Sequence, residues 1–247
     1  AFYCLICVPT SLLDSANLAW VRRRFKIQPD ERAGEPARWA LAHHGIGRTI
    51  ALTLWNNAIF VAPGMLALGL RGGPWLYRGE FCLEDCNGRD LFPRSAPTLA
   101  AFVGHLLICL VAFDAAFYAW HRCHHRWPLL YRHVHAVHHE YRAPFALVTQ
   151  YEHLLELMAV SVFSVGAPIA AGCHPLTQWA WLVVAIQLSV DAHTGYDFGL
   201  LDKMTSAWGG ARHHDRHHTH PNTNFQPFFT WLDHAFGTAW KQKQCRD

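Results

Sequence analysis

The chain has 247 residues, of which 51% are apolar and 16% are charged, whereas an average soluble domain carries about 25% charged residues. The net charge of +3 is small and no basic stripe occurs, which excludes nucleic acid as a partner. Nineteen histidines point instead to metal chemistry, and the many aromatic residues are typical of a protein at a membrane boundary.

Long runs without charge predict membrane helices, since about 20 residues are needed to cross a bilayer. The first apolar run, Ala1–Leu13, is too short to span alone, and without an initiator Met we expect this end to be processed or trimmed. Thr49–Leu70 is long enough, and its Asn56-Asn57 pair is expected to kink it or to face other helices. We therefore predict a membrane-anchoring region over residues 1–95 with one or two apolar helices.

Two further apolar runs predict helices in a second region, residues 96–247. Ala96–Phe113 predicts one span. Leu157–Val190 is broken at Gly172–Pro175, so it predicts a helical hairpin. Its two legs are short for full crossings, which favours a re-entrant hairpin.

The hairpin also constrains the topology. Because it enters and leaves on one side of the membrane, the histidine-rich regions before and after it lie on the same side. Two predicted spans separate the basic cluster Arg22–Lys26 from the first of these regions, which places that cluster on this side too. By the positive-inside rule this side faces the cytosol, or the matrix in a mitochondrial membrane.

The eight cysteines give no zinc-finger pattern. Cys109, Cys123 and Cys173 lie singly in apolar or histidine-rich segments, which is typical of buried free thiols. Cys4 and Cys7 form a C-x-x-C without a second pair at zinc-finger spacing. We therefore expect a reducing compartment.

Three histidine boxes follow the second span. Residues three and four apart share one face of a helix, so each box is expected to aim two or three imidazoles at one point. Eight such side chains are too many for one tetrahedral zinc ion, so they predict two metal ions with imidazole-rich coordination. Imidazole accommodates Fe, Zn, Cu or Ni, so the spacing leaves the metal open. The box residues are His121 and His125, then His135, His138 and His139, then His214, His217 and His218.

Longer motifs surround these boxes. They are DAAFYAWHR (Asp114–Arg122), PLLYRHVH (Pro128–His135), VHHEYRAPF (Val137–Phe145), DAHTGYD (Asp191–Asp197) and GARHHDRHH (Gly210–His218). With them, roughly residues 110–240 resemble the fatty acid hydroxylase superfamily of membrane di-iron oxygenases, and within it 4-methylsterol oxidases most.

The resemblance implies an all-α membrane helical bundle, capped on the cytosolic or matrix side by the histidine boxes and a di-metal site. It implies that the eight box histidines are metal ligands, that His193 is a ninth, and that the metals are two iron ions.

Five carboxylates near the boxes are expected to orient imidazoles by accepting their second N–H, with a helix cap or a surface salt bridge as alternatives. His124 and His213 flank the boxes on other helix faces, so we expect them beside the ligands or at the surface. The five carboxylates are Asp114, Glu140, Glu152, Glu156 and Asp215.

For function, the resemblance implies O₂-dependent oxidation of an unactivated C–H bond in a membrane lipid, first of all the 4-methyl group of a sterol precursor. Electrons would come from NAD(P)H through an external reductase and a small haem protein that docks on the basic face. The sequence itself has no Gly-rich dinucleotide fingerprint.

Several alternatives remain at this point. A sterol desaturase or a fatty-acyl hydroxylase would share the boxes, and a non-catalytic subunit of a larger membrane complex, for example a mitochondrial one, could retain the metal site. A di-zinc hydrolase is a weaker alternative, because such an enzyme would normally recruit carboxylate ligands. The endoplasmic reticulum is the expected location. The mitochondrial inner membrane is the alternative, because the chain lacks the C-terminal dilysine retrieval signal that many ER membrane proteins carry.

Overall fold

The computed structural model describes residues 2–28, 45–64, 81–84, 90–93, 95–199 and 205–241. Within these ranges the regular structure is helical apart from one pair of short antiparallel strands, which confirms the all-α prediction. The helices are α1 (Phe2–Ala16), α2 (Ala19–Phe25), α3 (Gly45–Asn56), α4 (Leu99–Arg126), α5 (Pro128–Leu130), α6 (Leu154–Ala170), α7 (Pro175–His193), α8 (Gly210–Thr219) and α9 (Trp231–Ala235). The strands are β1 (Phe81–Glu84) and β2 (Asp90–Pro93), π-helical turns lie at Asn57–Val61 and Tyr131–His135, and 3₁₀ turns lie at His138–Glu140 and Ala146–Gln150.

Helix α4 is the longest element among the described residues and contains most of the predicted span Ala96–Phe113. It begins after Thr98, whose hydroxyl accepts a hydrogen bond from the Ala101 amide at 3.2 Å. In the described part of the chain it is the one continuous helix long and apolar enough to cross a membrane. Leu99 and Leu107 are exposed along it, as lipid-facing side chains would be.

The helix does not stop at Asp114, where the charge-free run ends. Asp114 is fully buried, and its carboxylate accepts hydrogen bonds from the amides of Phe228 and Phe229, at 3.0 and 3.1 Å, and from the Gln226 side chain. A buried carboxylate with three donors does not mark a membrane boundary. It anchors the C-terminal segment against α4, which continues to Arg126 and into the first histidine box.

The predicted hairpin is confirmed, with α6 and α7 as its legs. The turn between them contains Gly172, whose φ of +65° suits glycine. Cys109 of α4 and Cys173 of the turn are both buried free thiols, as predicted, whereas Cys123 is only partly buried; the sulfur atoms of Cys109 and Cys173 lie 3.7 Å apart. In the core between α4 and the hairpin, the Trp181 indole donates to the Ser164 carbonyl at 2.8 Å.

The N-terminal helices pack onto the segment that follows the second box. α1 and α2 are bent by 118° at their junction and would form a second candidate span only if counted as one broken helix. The predicted span Thr49–Leu70 corresponds to α3 and the π-helical turn after it, and its residues from 65 onward lie outside the described ranges. Asn56 donates to the Glu152 carbonyl and Asn57 to the Gln150 side chain, both at 2.9 Å, so the asparagine pair faces its neighbours as expected.

A short extended segment after α2 is attached to the segment that follows α7. The Ile27 amide donates to the Gly195 carbonyl at 3.0 Å, and the Asp197 amide donates to the Phe25 carbonyl at 2.7 Å. Gln28 then donates to the Asp215 carboxylate in the third histidine box at 2.9 Å. The basic N-terminal cluster and the histidine regions therefore lie at the same end of the bundle.

Candidate metal centre

The three histidine boxes and His193 meet at one end of the helices. α4 ends in the first box, the turns after α5 carry the second, and α8 carries the third. The C-terminal end of the hairpin leg α7 brings His193 to the same place. Eight of these nine histidines are buried, and His125 is partly buried. The chain thus brings together every histidine that was predicted as a ligand.

These nine residues form two clusters, and within each cluster the candidate ligand nitrogens lie within 4.8 Å of one another. Each cluster could hold a metal ion. In the described part of the chain, both clusters consist of imidazoles alone. The first contains His121, His125, His135, His139 and His217, and the second contains His138, His193, His214 and His218.

Neighbouring residues of one box point into different clusters. His138 belongs to the second cluster and His139 to the first, while His217 belongs to the first and His218 to the second. Histidines four residues apart share a cluster, because four residues are close to one full helical turn. The prediction that each box aims at a single point is therefore wrong for the second and third boxes, which serve both clusters.

Hydrogen bonds to backbone carbonyls fix the orientation of the imidazoles in the second cluster. His138 donates through Nδ1 to the Tyr151 carbonyl at 3.3 Å, and His193 donates through Nδ1 to the Ser189 carbonyl at 2.7 Å. A neutral imidazole has one N–H, so the Nε2 atoms of both residues carry lone pairs. These two Nε2 atoms are buried and lie 3.1 Å apart, an arrangement that a cation between them would stabilise.

The first cluster repeats this arrangement. His121 donates through Nδ1 to the Phe225 carbonyl at 2.8 Å, and His135 through Nδ1 to the Glu156 carboxylate at 2.6 Å. Their Nε2 atoms lie 3.0 Å apart. Two nitrogens bound at right angles to one ion, each at about 2.1 Å, would be about 3.0 Å from each other. The spacing of the imidazoles therefore fits first-row metal ions.

Burial also keeps these imidazoles in the neutral form that binds metals. Burial removes water from the charged imidazolium form, and this desolvation is the main reason why the pKa of the box histidines is lowered. Repulsion between neighbouring histidines lowers the pKa further. At neutral pH these lone pairs are therefore free to bind a cation. The pKa is well below its ordinary value for His135, His138, His139, His214, His217 and His218.

Of the five carboxylates predicted to orient imidazoles, Glu156 occupies that position. Asp114 and Asp215 instead bind Gln226 and Gln28 respectively, and Glu140 binds Arg48 at 2.9 Å. Glu140 also accepts from the Tyr151 hydroxyl at 2.5 Å. Glu152 is buried, and burial raises the pKa of its carboxyl group to about 8. The side chains of Asp114, Asp215 and Glu140 thus hold the surrounding segments rather than the imidazoles.

Most of the groups that orient the histidines are backbone carbonyls, which sequence reasoning did not identify. Carbonyl oxygens have no residue-type signature, so only the fold reveals them. The acceptors are the carbonyls of Tyr141, Tyr151, Ser189, Thr223 and Phe225.

A second group missed from the sequence is Asp233. Its Oδ1 accepts from the Phe225 amide at 2.9 Å, and its Oδ2 lies 3.0 Å from His213 Nε2. These two contacts of Asp233 fix the loop whose carbonyl orients His121.

His124, which was expected beside the ligands or at the surface, is buried. Its Nδ1 donates to the Trp120 carbonyl at 2.9 Å.

The fold and the site together define a class of helical proteins with two adjacent all-histidine clusters that could hold metal ions. Residues 106–238 match the model of the fatty acid hydroxylase family. This chain belongs to that family.

Curated relatives agree with this assignment. Cholesterol 25-hydroxylase-like protein 2 of Danio rerio is 39% identical over 93% of this chain and 75% of its own length. The cholesterol 25-hydroxylase of Rattus norvegicus is 37% identical over 96% of this chain and 72% of its own length. That of Homo sapiens is 36% identical over 96% of this chain and 79% of its own length. No solved structure matches the chain significantly.

Proposed function

We propose that this protein is a membrane sterol hydroxylase that inserts one atom of O₂ into an unactivated C–H bond of a cholesterol-like sterol. The proposal rests on the two buried histidine clusters. In each cluster, imidazole Nε2 atoms that carry lone pairs lie about 3 Å apart. The relatives named cholesterol 25-hydroxylases support a sterol substrate and favour a carbon of its side chain.

The balanced reaction consumes a C–H bond, O₂, two electrons and two protons, and it yields an alcohol and water. Two iron ions, when bound, would supply the redox chemistry that reduces O₂. The nine histidines would hold these ions, and Nδ1 hydrogen bonds would keep the Nε2 lone pairs of six of them directed at the metal, namely His121, His135, His138, His193, His217 and His218. The Phe225 ring packs on His121, His125 and His217, which excludes water from one side of the first cluster.

Several finer features belong to the same proposal. Family membership supports iron as the metal, and the electrons would come from NAD(P)H through an external reductase and a haem protein. The anchoring region over residues 1–95 and the hydroxylase region over residues 96–247 are a proposed division. The endoplasmic reticulum is the proposed location, with the mitochondrial inner membrane as the alternative.

Oxidation of a sterol 4-methyl group, the first expectation, has no support among these relatives. We therefore place side-chain hydroxylation first. A direct comparison of substrates separates the two reactions, because they oxidise different carbons of the sterol.

The test is metal analysis and turnover on the detergent-purified chain. We expect about two irons per chain and hydroxylated cholesterol when reductase, haem donor, NADPH and O₂ are supplied. Product from 4,4-dimethylsterol alone would restore the 4-methyl assignment, and product from an acyl lipid alone would identify a fatty-acyl hydroxylase. Two metals without turnover of any of these lipids would favour a non-catalytic subunit, and no metal would refute the proposal.

A matched pair of variants links the metal to the clusters. His135 is buried in the first cluster, whereas His133 lies two residues earlier and is exposed. We expect His135→Ala to lose iron and turnover and His133→Ala to retain both. Equal iron content in the two variants would contradict the assignment of His135.

A further inference from the structure

A groove runs along the outer face of α4 toward the histidine end of the helix. It is an open cavity of about 500 Å³ between α4 and the region of α9. Ala115 and Ala119 line it on the membrane side, Arg122 and Arg126 line it toward the end of the helix, and Phe236 lies opposite. Ala115 and Arg126 are eleven residues apart, so the groove extends about 16 Å along the helix axis.

The groove is apolar at one end and positively charged at the other. A membrane lipid likewise has an apolar acyl chain at one end and a polar headgroup at the other. The alanine end is apolar, and its small side chains leave room along the helix. The arginine end lies next to Trp127, which is 57% exposed at the end of α4, where a membrane helix would reach the interface. An acyl chain therefore fits the first end and a headgroup fits the second.

Within the part of the chain that the structure describes, the positive charge of the two arginines is not neutralised by a carboxylate. Arg122 donates to the Tyr118 hydroxyl at 3.3 Å, and its guanidinium lies 5.3 Å from the centre of the exposed Phe236 ring. Among the described residues, no carboxylate forms an ion pair with Arg122 or Arg126. A guanidinium presents a planar fork of donors that matches a phosphate group, so this end of the groove is complementary to a phosphodiester.

We propose that this groove binds one anionic glycerophospholipid, with its phosphate at Arg122 and Arg126 and an acyl chain along Ala115 and Ala119. The site lies outside both histidine clusters and does not depend on the proposed reaction. Basic pockets beside membrane helices at the positively charged side of a protein are suited to anionic headgroups.

The test is native mass spectrometry of the full chain titrated with phosphatidylserine or with phosphatidylcholine of the same acyl composition. We expect phosphatidylserine to bind about tenfold more tightly, since each arginine near a membrane surface adds to the attraction. The double variant Arg122→Gln/Arg126→Gln should lose most of this preference. The matched control Arg132→Gln/Arg142→Gln removes two exposed arginines outside the groove and should retain it.

A second variant tests the apolar end without changing the charge. Ala119→Trp fills the groove beside the arginines, so it should weaken binding of the intact lipid while the metal content of the protein stays unchanged. Metal content also reports whether each variant is folded.

Three outcomes would overturn the proposal. Equal binding of the two lipids would show that the groove does not select a lipid with a net negative charge. Competition by soluble glycerophosphoserine as effective as that by the lipid would indicate a phosphate site without an acyl channel. If the arginine variants lost only reduction by an acidic haem protein and kept their lipid preference, the surface would be a protein-docking site instead.

Discussion

At the scale of single residues, the position of one proton determines what each buried histidine can do. An imidazole that donates its only N–H to a carbonyl must present a lone pair at its other nitrogen. Here the carbonyls lie on the outside of each cluster, so the lone pairs converge on the inside. These hydrogen bonds therefore favour the orientation that a metal ion needs, and a bound ion would restrain the ligands further.

Glu156 is the one side chain among these orienting groups, so its removal should weaken metal binding selectively. In Glu156→Leu the Nδ1–H of His135 loses its acceptor in a buried place, and we expect metal affinity to fall by about 10- to 100-fold. Glu156→Gln keeps a carbonyl oxygen that can accept this bond and should lose much less. Competition with a calibrated chelator measures both, and an unchanged affinity in the leucine variant would contradict this role.

The two histidines at the ends of α7 allow a second test at this scale. His193 lies in the second cluster, whereas His174 caps the opposite end of the helix by accepting from the Leu176 amide at 3.0 Å. We expect His193→Ala to lose one metal ion per chain. His174→Ala should keep its full metal content and lose about 1–2 kcal/mol of stability, because it removes both the cap and the Nε2 hydrogen bond to the Ser95 carbonyl at 3.0 Å. Elemental analysis with thermal unfolding separates the two effects, and equal metal content would contradict a ligand role for His193.

At the scale of elements, the hairpin positions the site from both of its legs. The N-terminal turn of α6 supplies Glu156 to His135, and the C-terminal turn of α7 supplies His193 to the second cluster. Both legs pack on α4, which supplies the first box. A shift of α6 would therefore disturb the first cluster, and a shift of α7 would disturb the second.

Gly195 joins the N-terminal segment to this arrangement and should tolerate no side chain. Its φ is +71°, and a Cβ atom there would lie 2.7 Å from the carbonyl oxygen of Pro144. Gly172 in the hairpin turn has a similar φ of +65° but open space around it. We expect Gly172→Ala to cost about 1 kcal/mol from backbone strain alone and Gly195→Ala to cost clearly more. Chemical denaturation of both variants measures the difference, and equal losses would contradict the steric explanation.

The elements themselves could largely be predicted from the sequence, because charge-free runs and the Gly172–Pro175 break report directly on helices and turns. The end of α4 could not. Asp114 interrupts the charge-free run, and the sequence does not show that Gln226 and two backbone amides bind it inside the protein.

At the scale of the whole molecule, the sequence predicted which histidines come together but not how they are divided between two clusters. The boxes and the family resemblance pointed to all nine residues that the structure places in two clusters. The division of His138 from His139 depends on turns between α5 and α6, and such irregular turns have no clear periodic pattern. The carbonyl acceptors and the groove beside Arg122 likewise arise from tertiary packing.

The division of neighbouring histidines between the clusters has a thermodynamic consequence. An ion bound to His139 and His217 would restrain the backbone that also carries His138 and His218, so part of the entropy cost of the second site would already be met. Loading should therefore be cooperative, with the affinity of each ion raised by the other. In a substoichiometric iron titration followed by native mass spectrometry, chains with no iron or two irons should outnumber chains with one. A statistical distribution would mean that the two clusters fill independently despite their shared turns.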